Sequence, residues 1–281
     1  MTATTPRLAP AASAANRTMA KALLKRIGNG LLAIVVILVL WDLSLRLLNV
    51  GSFVGKGPLD VWNFMFVADA AAANRDFVFG ELGQSLIDAS IGFVAGLVAA
   101  LVIAAIFLLV KGVEHALLPI ALLLQSVPLV AIAPIIILIF GRDIATLAVM
   151  GGIVVLFPAL ITIVFGLRSA SPYMLDLVAV YGGSPLTALL KVGLPSALPA
   201  LFAAIKISVP GAITGALIAE WLATGQGIGG AIVSAIGQAQ INQVWAMGTA
   251  ITVVSIALYM LVGLAETAVL RRMGVTQTGL R

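Results

Sequence analysis

The sequence predicts an all-α integral membrane protein with six membrane-spanning helices. Apolar residues make up 62% of the chain and charged residues 10%, a composition far outside that of soluble globular proteins. The apolar residues lie in runs as long as the ~20 residues that a helix needs to cross a bilayer. The basic residues lie beside these runs, which is how membrane topology is encoded.

The apolar runs divide the chain into one membrane domain between two tails. Residues 1–30 are expected to form an N-terminal tail that is disordered up to about Ala20. Residues 271–281 are expected to form a C-terminal tail. The spans between them cover roughly 31–50, 86–110, 116–140, 144–167, 198–222 and 244–270. A cleaved signal peptide is the alternative for residues 1–50, but its apolar run exceeds the usual 7–15 residues and lacks a small-residue cleavage site.

The positions of the basic residues predict the orientation. Five lie before the first span, and six crossings bring six more to the same side, against three on the other side. Since positive charge collects on the cytoplasmic side, both termini are expected in the cytoplasm of a plasma-membrane protein. Residues 51–85 and the loop near 223–243 are then external.

A polar, turn-rich stretch over residues 168–197 interrupts the apolar pattern between two spans. Gly182 and Gly183 predict a sharp turn, followed by Ser184 as the N-cap and Pro185 as the first residue of a short helix. Leu194 and Pro195 are expected to end that helix, because proline donates no hydrogen bond. Such a loop is longer than a connection requires and is expected to dock on a partner outside the bilayer.

This stretch resembles the EAA loop of ATP-binding cassette (ABC) importer permeases. Asp176-Leu177-Val178 occupies the E-A-A position, Gly182 the glycine position, and Val192-Gly193-Leu194-Pro195 the I-x-L-P position, with the family's spacing. Asp replaces Glu, and Leu-Val replaces Ala-Ala. In the family this loop is the coupling helix that fits a groove on the ATPase, so the resemblance assigns coupling to the following residues: Asp176, Gly182, Gly183, Ser184, Pro185, Leu194 and Pro195.

Two further segments resemble particular permease groups. Ala219-Glu220-Trp221-Leu222 followed by Gly225-Gln226-Gly227-Ile228-Gly229 is similar to permeases for nitrate, sulfonate and taurine. The stretch from Gln125 to Gly141 is similar to the third span of that group. Its Gln125 and its Ala-Ile-Ala-Pro run more closely resemble permeases for thiamine precursors or riboflavin. For the glycine-rich segment, a phosphate-binding loop is a weaker interpretation than a re-entrant or external turn, because no strand precedes the segment.

Several polar residues within the spans are candidates for the translocation path. Pro128 frees a backbone carbonyl beside Gln125 and Ser126, which is tolerated where it faces protein or a watery cavity. Helix-to-helix hydrogen bonding is an equal alternative for Gln125 and Ser126, and packing is an alternative for the hydroxyl residues. Glu220 either orients the external loop or touches substrate. The set comprises Gln125, Ser126, Pro128, Ser208, Thr214 and Glu220.

No catalytic constellation and no metal site is expected, and the chain has one histidine and no cysteine. The resemblance implies a permease subunit, not an enzyme, of an importer that moves a small anion or a vitamin precursor inward by alternating access. It implies a separate ATPase carrying ATP and Mg²⁺, an extracytoplasmic binding protein and a second permease copy or paralogue, with no cofactor on this chain. No nucleic-acid partner is expected despite the net charge of +5, because the basic residues cluster beside the apolar spans. The alternative is a secondary transporter or channel that works without ATP.

Overall fold

The computed structural model describes residues 11–273, and all regular structure in that range is helical. The chain divides into two compact units, residues 1–63 and 64–281. This confirms the all-α class predicted from composition.

The first unit contains one long helix and one short helix. Helix α1 spans Ala11–Leu47 and α2 spans Pro58–Trp62. Asp42 and Arg46 form an ion pair of 2.7 Å one turn apart on α1. Residues 11–20 of the predicted N-terminal tail lie within α1, and residues 1–10 lie outside the described part of the chain.

The second unit contains the remaining helices. A π-helical turn, Asn63–Val67, leads into them. They are α3 Ala71–Leu109, α4 Lys111–Leu124, α5 Leu129–Phe140, α6 Ile144–Arg168, α7 Pro172–Val180, α8 Pro185–Ala188, α9 Leu194–Ala219, α10 Gly227–Gly237 and α11 Ile241–Arg272. Residues 274–281 of the predicted C-terminal tail lie outside the described residues.

Within residues 11–273, five helical runs are long and apolar enough to cross a membrane, and a bent pair of helices makes a sixth. The second span is longer than expected, because α3 begins at Ala71 rather than near residue 86. Arg75, Asp76 and Glu81 lie in its first turns, and their charge hides the helix from a search for apolar runs. The segment 51–85 is therefore largely helical.

The predicted span 116–140 is broken at its middle. Helices α4 and α5 meet at 105°, with Gln125, Ser126 and Val127 at the bend. Pro128 is the cap residue of α5. Proline lacks a backbone donor and disfavours helical geometry in the preceding residue, which explains the break.

Helices α3, α6 and α9 pack through glycines at the centre of the second unit. A Cβ atom on Gly92 would lie 2.7 Å from the Cα of Gly151, and one on Gly215 would lie 2.8 Å from the same Cα. Small residues let helix backbones approach closely inside membranes. Gly151 thus lies between two neighbouring helices, and the Gly92-x-x-x-Gly96 pattern marks a real contact.

The expected helix end at Leu194 and Pro195 is wrong. A π-helical turn, Leu189–Gly193, joins α8 to α9, and Pro195 lies in the first turn of α9. Proline is tolerated there because the first turn needs no intrahelical donor. Residues Pro185–Thr224 therefore form one helical run, and a movement of α8 would pass directly into a membrane span.

Candidate functional site

The first candidate site is the glycine segment after α9. The helix continues through a π-helical turn, Glu220–Thr224, and stops at Gly225, whose φ is +70°. Gly227 follows with a φ of +66° and begins α10. Positive φ is natural for glycine and costly for other residues, so the two glycines form two consecutive turns here.

Glu220 lies at the centre of this turn and is completely buried. Its Oε2 accepts hydrogen bonds from the backbone N–H of Gly229, at 2.7 Å, and from the hydroxyl of Ser85, at 2.8 Å. The Ser85 Oγ in turn accepts the backbone N–H of Ile228, at 2.8 Å. The carboxylate and the hydroxyl together hold the start of α10 against α3.

The glycines make room for the carboxylate. A Cβ atom on Gly227 would lie 2.6 Å from Oε1 of Glu220, and one on Gly229 would lie 2.8 Å from its Cβ. Neither position accepts a side chain without displacing Glu220. The Gly-x-Gly spacing is therefore required by the buried carboxylate.

Asp88 completes this cluster from α3. It is buried, and its Oδ1 accepts a hydrogen bond of 2.9 Å from Nε2 of Gln84. The carboxyl groups of Asp88 and Glu220 are close enough to interact electrostatically. The Oδ2 of Asp88 and the Oε1 of Glu220 are buried with no hydrogen-bond partner among the described residues. A hydrogen shared between the two carboxyl groups would satisfy both, and buried acids require such pairing.

Of the two alternatives for Glu220, the contacts favour orientation of the loop over contact with substrate. Sequence reasoning missed its partners Gln84, Ser85 and Asp88. Their signal was present, since polar residues at i, i+1 and i+4 lie on neighbouring positions of one side of α3. What the sequence did not indicate was that this face meets a residue 135 positions away.

The other candidate path residues lie in several settings. Gln125, Ser126 and Pro128 are exposed at the bend between α4 and α5, where the Ser126 hydroxyl donates to the Leu123 carbonyl. Ser208 is buried with its hydroxyl unpartnered among the described residues. Thr214 is exposed beside Trp221 in an apolar groove and donates to the Pro210 carbonyl. Their role in a path stays a prediction.

The second candidate site is the loop containing α7 and α8. Gly182 has a φ of +75°, as a sharp turn requires. Ser184 caps α8, its hydroxyl accepting the N–H of Thr187 at 3.2 Å, and Pro185 is the first residue of that helix. The turn, the cap and the helix start are therefore those predicted from the sequence.

This loop leaves large apolar and aromatic side chains uncovered. Neither α7 nor α8 contains a buried residue, and Tyr173, Val180 and Tyr181 are 86%, 83% and 83% exposed. Asp176, in the middle of α7, belongs to the same segment. Exposed apolar patches mark surfaces that contact another protein or a membrane.

Comparison with known proteins agrees with the sequence resemblance. Residues 92–275 match the family described as "Binding-protein-dependent transport system inner membrane component". A "Probable ABC transporter permease protein" of Haemophilus influenzae is 29% identical over 83% of this chain and 93% of its own length.

Two further relatives carry the names of solutes. The riboflavin transport system permease protein RibX of Chloroflexus aurantiacus is 27% identical over 58% of this chain and 60% of its own length. A Bacillus subtilis permease named for aliphatic sulfonates is 28% identical over 85% of this chain and 87% of its own length.

The chain belongs to the family of binding-protein-dependent inner-membrane transport components. It is a multi-pass ABC importer permease with the all-α, type I architecture, and members of this family are transporter subunits rather than enzymes. The family as a whole works with an ATPase and a substrate-binding protein.

Proposed function

We propose that this chain, with a second permease copy or paralogue, forms an inward path for a small solute and opens it by alternating access. ATP and Mg²⁺ bind to a separate ATPase subunit. ATP closes the ATPase pair, the coupling loops move, and the permeases rock to open outward. A binding protein docks at the external end and releases the solute into the open path.

The observation that carries this proposal is the uncovered α7–α8 loop. It presents Tyr173, Val180 and Tyr181 to a partner, and the helical run Pro185–Thr224 begins at its end. A partner that moves α8 also moves α9, because the π-helical turn leaves no hinge loop between them. Coupling residues are thus Asp176, Gly182, Gly183, Ser184, Pro185, Leu194 and Pro195, with the last two acting inside the transmitting helix.

We place both termini and the α7–α8 loop in the cytoplasm. The bias of Lys and Arg toward this side supports that orientation. The glycine turn around Glu220 then lies at the external end of α9, where it would hold the face on which a binding protein docks. Gln125, Ser126, Pro128, Ser208 and Thr214 remain the candidates for the path between the two ends.

The solute is a small anion of the nitrate, sulfonate or taurine kind, or a neutral vitamin or vitamin precursor. The sequence resemblance extends to both groups, and the named relatives include a riboflavin permease and a sulfonate permease. The alternative of a transporter that works without ATP predicts uptake that is independent of the ATPase.

The test is reconstitution of the chain with its ATPase and binding protein in proteoliposomes. We expect uptake of the binding protein's ligand that requires ATP, and no uptake when the ATPase is omitted or its catalytic site is inactivated. Equal uptake without the ATPase would contradict the proposal and favour a secondary transporter. Co-purification of the ATPase with the chain checks assembly in parallel.

A further inference from the structure

A polar cleft of about 760 Å³ lies beside the glycine turn, within the second unit. Its walls come from the first turns of α3, from α10 and from the start of α11. Its floor includes Gly225 and Gly227, directly over the buried Glu220. The volume lies within the range of ~300–1,000 Å³ that is usual for small-molecule sites.

Amide side chains dominate the polar lining of this cleft. Gln226 and Gln243 make no side-chain hydrogen bond to any described residue, so both their donors and their acceptors are open. A primary amide offers a donor and an acceptor side by side. That arrangement matches the edge of a nitrogen heterocycle, which also alternates donors and acceptors.

Aromatic surface accompanies the amides. Phe64 and Phe77 both line the cleft, and Phe77 is 42% exposed. A phenylalanine that is left uncovered beside open amides provides a face on which a planar ring can stack. Stacking of a base on an aromatic side chain is a general mode of heterocycle recognition.

The charge that lines the cleft disfavours anions. Glu81 is the one charged side chain among the described residues that line it, and the buried carboxyl groups of Glu220 and Asp88 lie beneath the floor. The nearby cation Arg75 is not among the residues that line the cleft; its guanidinium donates to the Met65 carbonyl and lies over the Phe66 ring. A sulfonate or nitrate would meet negative charge here, whereas an exocyclic amino group would find an acceptor in Glu81.

We propose that this cleft binds a neutral, planar nitrogen heterocycle, stacked on Phe77 and hydrogen-bonded by Gln226, Gln243 and Glu81, and that the solute of this importer belongs to that class. The inference rests on the proposed import function, because it makes the cleft the place where the released solute first contacts the permease. The inference therefore favours a neutral solute over an anionic solute for this importer.

The test uses the complex of this chain with its ATPase in lipid nanodiscs, without binding protein. Riboflavin serves as the fluorescent probe, with 4-aminopyrimidine and ethanesulfonate as competitors. We expect saturable quenching of riboflavin fluorescence that 4-aminopyrimidine relieves and ethanesulfonate does not. Phe77→Leu should weaken riboflavin binding about tenfold, as for loss of one stacked ring. Phe79→Leu, an exposed residue of the same helix outside the cleft, should leave binding unchanged.

Glu81→Gln should weaken competition by 4-aminopyrimidine, whereas Asp76→Asn, exposed and outside the cleft, should not. Gln226→Leu provides a second lesion on another element if Phe77→Leu lowers the yield of complex. The inference would be overturned if riboflavin quenching were not saturable, or if ethanesulfonate competed with riboflavin. It would also be overturned if Phe77→Leu and Gln226→Leu both bound riboflavin as tightly as the unmodified chain.

Failure of the proposed function gives a different result. Cleft binding without ATP-driven uptake would overturn the import function and leave the cleft's ligand class standing. ATP-driven uptake that is unaffected by the cleft variants would overturn this inference alone. Loss of binding-protein docking, rather than of riboflavin binding, in the Phe77→Leu complex would reassign the cleft to a protein loop and also overturn it.

Discussion

The hydroxyl of Ser85 lies 2.8 Å from Oε2 of Glu220, although 135 positions separate the two residues. It joins the start of one membrane helix to the end of another, and it also accepts the N–H of Ile228. We therefore expect Ser85→Ala to destabilise the protein by about 1–3 kcal/mol, the cost of leaving buried polar groups unpaired. Thermal unfolding of the complex in nanodiscs measures it.

The matched control for this prediction is Ser90→Ala. Ser90 is exposed and donates only to the carbonyl one turn earlier on its own helix, so its removal should change stability by less than about 0.5 kcal/mol. Equal effects of the two substitutions would mean that the contact between Ser85 and Glu220 does not stabilise the fold.

The pairing of Asp88 with Glu220 predicts a contrast between two substitutions. Asp88→Asn keeps an acceptor for Gln84 and supplies an N–H for the open Oε1 of Glu220, so stability should stay near that of the wild type. Asp88→Leu leaves the Gln84 amide and the Oε1 of Glu220 without a partner and should lower the free energy of unfolding by about 1–3 kcal/mol. The same unfolding measurement distinguishes them, and an Asn variant as unstable as the Leu variant would argue against a shared hydrogen.

Gly151 and Gly248 predict opposite effects for the same change to alanine. A Cβ on Gly151 would lie 2.9 Å from the Cα of Gly92, whereas one on Gly248 meets nothing within 4 Å. Gly151→Ala should destabilise the packed helices by about 1–3 kcal/mol. Gly248→Ala should stabilise the chain by about 0.5–1 kcal/mol, because alanine favours a helix over glycine. Loss of stability in both variants would contradict the packing explanation.

The turn before α8 predicts a coupling defect. Gly182 has a positive φ and open space around it, so Gly182→Val is strained only through the backbone, by about 1–2 kcal/mol. We expect ATP-driven uptake to fall about tenfold while membrane insertion and binding-protein docking persist. Gly182→Asn, which tolerates this conformation, should retain most uptake. Wild-type transport by Gly182→Val would remove the α7–α8 loop as the coupling element.

The proposed orientation predicts a labelling pattern in this chain, which has no native cysteine. Asp69 and Tyr181 are both exposed. With an impermeant thiol reagent applied to intact cells, Asp69→Cys should react and Tyr181→Cys should react only after permeabilisation. The reverse pattern would invert the topology and move the α7–α8 loop away from any cytoplasmic ATPase.

Local signals in the sequence determined the membrane class, the approximate positions of most spans and the turn around Gly182. Apolar length sets which segments enter a bilayer, and Gly-Gly-Ser-Pro defines a turn, a cap and a helix start over four neighbouring residues. These features depend on residues close in sequence, so no knowledge of the rest of the fold was needed. The same holds for the ion pair between Asp42 and Arg46, one helical turn apart.

Tertiary structure decided the features that depend on distant residues. The meeting of Gln84, Ser85 and Asp88 with Glu220 requires α3 and the end of α9 to pack together, and that packing depends on Gly92, Gly151 and Gly215 across three helices. The residues around Pro195 also did not decide its position in a helix, because proline is compatible with both a helix end and a helix start. Only the π-helical turn Leu189–Gly193, which joins α8 to α9, made it a start.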